Sequence, residues 1–108
     1  MTPEQLKQLA EWSAEFLGGE YNSFNWLMGN KFGTYLTENT LFIDECYAPI
    51  LMHLGKREME KRGFTWKIEV HQKKYRVKVD RPSIHYQKTQ ISTNEYIAFW
   101  TAVREALK

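Results

Sequence analysis

The stretch from Phe64 to Val79, FTWKIEVHQKKYRVKV, constrains the fold more than any other part of the chain. Phe64, Trp66, Ile68 and Val70 alternate with Thr65, Lys67, Glu69 and His71. After a short polar break, Tyr75, Val77 and Val79 alternate with Arg76, Lys78 and Asp80. A period of two marks a strand with one buried face and one wet face. Two such runs in succession predict a β-hairpin. Its wet face is mostly cationic.

The flanking segments read as helices. Thr2, Pro3 and Gln5 carry an N-terminal capping box with proline at the first helical position. Leu6, Leu9, Ala10, Ser13 and Leu17 then share one face, widened by Trp12 and Phe16, until Gly18-Gly19 ends the helix. A second helix is expected from near Asp44 to Arg62, with Pro49 close to its start and Gly63 as terminator. Its expected buried side is Tyr47, Ile50, Leu51, Leu54 and Met59. Ser92 and Glu95 read as a capping box for a third helix, along which Tyr96, Phe99, Trp100, Val103 and Leu107 repeat at helical spacing. Ala98, Ala102 and Ala106 allow close approach of a neighbour.

Residues 20–43 show no clean period. They read as an aromatic loop over the core, with Thr34–Leu36 and Thr40–Ile43 as short extended pieces. Ile84 and Tyr86 alternate with His85 and Gln87, which allows a third short strand. Helices need an apolar face to pack on, and the hairpin offers one. The expected fold is therefore α+β: a small antiparallel sheet, the hairpin plus one or two short strands, packed by about three helices. At 108 residues the chain is expected to form a single domain spanning 1–108.

In element order the chain resembles the phage ABA-sandwich domain family of small phage and prophage accessory proteins. Three segments carry the resemblance: QLKQLAEWSAEFLG at Gln5–Gly18, KREMEKRGFTWKIEV at Lys56–Val70, and EYIAFWTAVREALK at Glu95–Lys108. Pro49 and the basic, aromatic connection from Lys73 to Ile91 depart from the family pattern. The resemblance implies a compact α+β accessory protein and no particular activity.

The residues show no catalytic signature. His53, His71 and His85 lie far apart in sequence, and Cys46 is the only cysteine, so neither a zinc pattern nor an internal disulfide is expected. A lone cysteine reads as a small buried hydrophobe. Asp44 and Glu45 read as favourable charge at the start of a helix. Gly18-Gly19 ends a helix, which is the wrong context for a phosphate loop. The chain is read as non-catalytic, with no cofactor and no metal.

Charge distribution carries the functional expectation. Residues 1–65 hold six basic and nine acidic side chains; residues 66–88 hold seven and two. Lys67, His71, Arg76, Lys78, Arg81, His85, Tyr86 and Lys88 are the candidate ligand-binding residues. Lys67 and His71 of one strand face Arg76 and Lys78 of the next in the expected pairing. Tyr86, His85 and the aromatics of 21–35 supply stacking surfaces. The competing explanation is that edge-strand lysines solubilise an open sheet face.

The leading expectation is an accessory protein that binds and neutralises a host target, with a nucleotide-like signalling molecule as the small anionic ligand. A host protein docked on an aromatic surface is the first alternative. Nucleic acid on the basic hairpin is the second, disfavoured by the acidic first 65 residues. Homo-oligomers are expected through the sheet edge or an aromatic patch. No apolar run reaches membrane-spanning length and no leader pattern opens the chain, so no membrane partner and a cytoplasmic location in the bacterial host are expected.

Overall fold

Helix α1 (Pro3–Phe16) begins with the reciprocal bonds its sequence predicts. The Gln5 amide donates to Thr2 Oγ1 at 3.2 Å, and the Thr2 amide donates to Gln5 Oε1 at 2.9 Å. Gly18 closes it at φ 75°, a value glycine accepts without a Cβ clash. The computed structural model describes residues 2–18, 36–81 and 86–107, and side chains over 2–18, 36–80 and 92–107. Of the aromatic loop expected over 20–43, the part 20–35, with the start of the first extended piece, lies outside the described residues.

The second extended piece expected, Thr40–Ile43, is instead part of a π turn, Asn39–Ile43. The Asp44 amide donates to Asn39 O at 2.7 Å, five residues back. Thr37 and Thr40 set up its entry by exchanging bonds between backbone amide and side-chain hydroxyl, at 2.9 and 3.3 Å. This local threonine pair competes successfully with extension. It turns Leu41 and Phe42 into the core and leaves Ile43 out.

Helix α2 spans Ala48–Lys61, shorter than the range expected from Asp44. The Asp44 carboxylate accepts from the Cys46 and Tyr47 amides at 2.7 and 3.1 Å, so it caps the turn that leads into the helix. Gly63, at φ 82°, follows the last turn. The Phe64 amide donates to Met59 O and the Gly63 amide to Glu60 O, at 3.0 Å each. That pair is the Schellman pattern, and it seats the buried Phe64 near the buried Met59. The buried stripe of α2 is Ala48, Leu51, Met52, Gly55 and Met59. Tyr47 and Ile50, expected on the buried side, are exposed instead, 41% and 58%. The stripe is rotated because glycine, not a large residue, meets the neighbouring helix: a Cβ on Gly55 would stand 2.6 Å from Trp100 Cη2.

Strands β1 (Thr65–His71), β2 (Lys74–Arg81) and β3 (Tyr86–Ser92) form an antiparallel sheet in the order β1-β2-β3. The hairpin register pairs Trp66 with Val79, Ile68 with Val77 and Val70 with Tyr75 on the inner face. Gln72 and Lys73 form its tip, with φ of 49° and 63°. Positive φ at both positions is the type I′ geometry that suits a twisted hairpin, but both residues carry a Cβ. Replacing Gln72-Lys73 with Asn-Gly is expected to stabilise the protein by about 1 kcal/mol, since left-handed backbone costs an ordinary L-residue roughly that much. Urea denaturation followed by circular dichroism measures it.

Helix α3 (Glu95–Ala106) packs on β2 and β3, while α1 and α2 pack on α3. Sandwiched between layers, it has no exposed residue along its length. Ala98, Phe99, Trp100, Ala102, Val103 and Ala106 cover more than half its circumference, as a central helix requires. Aromatic contacts knit the helices: Trp12 stacks on Phe16, and Trp100 meets Phe16 and Phe99 edge to face. The expected Ser92–Glu95 capping box is not what starts α3. Asn94 is the cap, accepting from the Tyr96 and Ile97 amides at 2.9 and 3.0 Å. Ser92 ends β3, and its hydroxyl accepts from the Asn94 amide. The fold is α+β, as the sequence predicts; among the described residues α3 covers the small antiparallel sheet and α1 and α2 pack behind α3.

Candidate functional site

Two surfaces compete for function. The first is the outer face of the hairpin. Alternation puts Thr65, Lys67, Glu69 and His71 of β1 on this face, and the register sets Lys67 opposite Lys78, Glu69 opposite Arg76 and His71 opposite Lys74. Lys67, His71, Arg76 and Lys78 therefore share one face, as the sequence suggests. An acid sits among them. Lys67 Nζ lies 3.0 Å from Glu69 Oε1. The hydrogen bond from Lys67, and then the nearby charges of Lys78, Lys67 and Arg76, hold the Glu69 carboxyl below its ordinary value. The face thus carries its own counterion, which occupies the centre where an anionic ligand would sit.

The remaining candidates do not join this group. Arg81 pairs with Tyr86 and Val79 with Lys88, so the backbone positions of Arg81, Tyr86 and Lys88 alternate with those of Arg76 and Lys78 instead of sharing their face. The side chains of Arg81, Tyr86 and Lys88 lie outside the described residues, as do His85 and the aromatics of 21–35. Among the described residues of the outer face the one aromatic ring is the His71 imidazole, at the hairpin's tip end.

The second surface was not predicted. A cleft of about 300 Å³ opens where the π turn, the start of β2 and the start of α3 meet. Ile43, Tyr75 and Tyr96 supply apolar walls, with the buried Phe42 behind them, and Glu45 and Glu95 supply carboxylates. Asn94 holds the two sides together: its Nδ2 donates to Phe42 O at 2.8 Å, across 52 positions of sequence. Burial, followed by the charges of Glu95 and Glu45, raises the Tyr96 phenol above its ordinary value. Tyr96 therefore stays neutral across the physiological range and presents a hydroxyl and a ring.

Exposed apolar residues occur in and beside the elements that form the cleft and at the start of α2, and together are termed the apolar band. Val70, 65% exposed, stands opposite Tyr75 at one end. Ile43, 60% exposed, lines the cleft itself. Tyr47 and Ile50 follow one turn apart on the outer side of α2. Cys46, expected to be buried, is exposed beside them. Ala48, two positions further on, is the buried residue of this segment.

No family model matches this chain, and no curated protein and no solved structure matches it either. Among the described residues, no group of three or more His, Cys, Asp or Glu is placed to hold a metal ion. No described helix is long and apolar enough to cross a membrane. No sequence signal separated the residues of the band from the core: Tyr47 and Leu51 stand four apart, in phase on a helix, yet one is exposed and the other buried.

Proposed function

We propose that this protein is a non-catalytic inhibitor or adaptor, of the phage accessory kind its sequence resembles, that docks on a host protein through the apolar band. One observation carries the reading. Of the four large hydrophobics exposed among the described residues, Ile43 lines the cleft, Val70 stands opposite cleft-lining Tyr75, and Tyr47 and Ile50 follow cleft-lining Glu45 within five positions. Single exposed apolar residues are ordinary, whereas a grouped set with a polar margin marks an interaction surface. Tyrosine on such a patch supplies contact area at small entropic cost. The outer hairpin face fits a small anion less well, because Glu69 neutralises its centre.

The test places a photoreactive benzoylphenylalanine at Tyr47 and maps adducts formed in bacterial cells. One predominant host-protein adduct is expected, and Ile50→Asp should abolish it while changing stability by no more than about 0.5 kcal/mol, as for other exposed positions. The reading fails if Tyr47 gives no adduct, or the same adducts as a probe at Lys67 on the opposite side. Calorimetry with nucleotides and cyclic dinucleotides is the counter-test: heat that disappears on Arg76→Ala returns the function to the outer face.

A further inference from the structure

We propose that the cleft between the π turn and the start of α3 receives a basic side chain, Lys or Arg, presented on an apolar segment of the partner protein. The inference rests on the band being a protein-docking surface and specifies what that surface selects. Its volume of about 300 Å³ is several times that of a water molecule, about 30 Å³ in the liquid, so a long side chain fits. Both ionisable carboxylates at its rim, Glu45 and Glu95, are acidic, and no basic residue lines it. Tyr75 and Tyr96 add ring surface of the kind that attracts guanidinium and ammonium groups. The apolar stem of Lys or Arg matches the exposed Ile43 along the wall.

The start of α3 also opens here, and a helix N-terminus by itself favours an anion. That preference is already met. The Asn94 side chain occupies the Tyr96 and Ile97 amides, and Glu95 places a carboxylate in the first turn. What reaches an incoming ligand is the charge of Glu45 and Glu95, the two carboxylates that line the cleft. Complementarity of charge therefore selects a cation, and the flanking Ile43 and Val70 select apolar neighbours for it.

The probe is the peptide acetyl-Leu-Arg-Leu-amide, titrated into the full chain and followed by backbone amide shifts. Its counterpart with citrulline in place of arginine keeps the size and planar shape but removes the charge and turns one donor nitrogen into an acceptor oxygen. Shifts are expected at Thr93, Glu95, Tyr96 and Tyr75, with the citrulline peptide binding at least tenfold more weakly. Glu45→Gln, in an exposed turn outside any helix, should weaken the arginine peptide severalfold and leave the citrulline peptide unchanged. Equal binding of the two peptides, or shifts absent from these residues, overturns the inference. The two readings fail separately. A Tyr47 adduct with a host protein alongside a peptide that ignores the cleft removes only the cation preference. Loss of the Tyr47 adduct removes the docking surface.

Discussion

Gly55→Ala is expected to destabilise the protein by about 1–3 kcal/mol, the usual range for overpacking a filled core. Helix propensity alone predicts the opposite, since alanine in a helix interior is favoured over glycine by about 1 kcal/mol. The contact decides the sign. The added Cβ would lie 2.6 Å from Trp100 Cη2 and 3.1 Å from Phe99 Cε1. Trp100 cannot move aside: it is fully buried, with Phe16 at 6.0 Å and Phe99 at 5.1 Å between ring centroids. Either α2 shifts away from α3 or the indole leaves its position. Trp100→Phe supplies the room, and it also removes an indole N–H that finds no acceptor among the described residues. The double variant should therefore be more stable than the two single changes predict, by at least about 1 kcal/mol of coupling, as contacting residues show. Thermal and urea unfolding of all four proteins completes the cycle. Strict additivity would mean that Gly55 does not face Trp100.

This glycine also explains what the sequence could and could not disclose. Elements whose instructions are local were legible. Thr2, Pro3 and Gln5 act within a single turn, and the hairpin alternation depends only on neighbours two apart. Gly18 and Gly63 both take the positive φ that their places after helices suggest. Elements whose instructions come from elsewhere in the chain were not legible. The buried stripe of α2 is set by Trp100, 45 positions away in numbering from Gly55, so a scan for large hydrophobics chose Tyr47 and Ile50 in error. The start of α3 is set by where β3 stops pairing, which moves the cap from Ser92 to Asn94. The shared face of Lys67, Arg76 and Lys78 was legible because strand parity defines it, yet the bond between Lys67 and Glu69 needed side-chain geometry. The cleft draws on residues 42–45, 75 and 93–96, and no single window of sequence contains it.

Asn94→Ala is expected to cost about 2 kcal/mol, because one side chain performs two tasks. Its oxygen caps α3 by accepting from the Tyr96 and Ile97 amides, and loss of such a cap costs about 1 kcal/mol. Its Nδ2 donates to Phe42 O at 2.8 Å, and an unmade bond of this kind costs about 1 kcal/mol more. Asn94→Asp separates the two. Aspartate keeps the cap, and its charge suits a helix start, but it presents an acceptor to the Phe42 carbonyl where a donor stood. The expected order of stability is wild type, then Asn94→Asp, then Asn94→Ala, measured by urea unfolding. Hydrogen exchange distinguishes the tasks further. In Asn94→Asp the Asp44 amide, which closes the π turn onto Asn39 O, should exchange faster while the amides of Tyr96 and Ile97 stay protected. Faster exchange at Tyr96 and Ile97 alone would show that the π turn holds its place without Asn94. The same variant reaches the proposed site. Phe42 and Ile43 form one wall of the cleft and Glu95 and Tyr96 another, with Asn94 as a direct bond between them. Widening that joint should weaken the arginine peptide even though Glu45 and Glu95 remain in place, since a cation is held strongly only where carboxylates and rings are fixed around it.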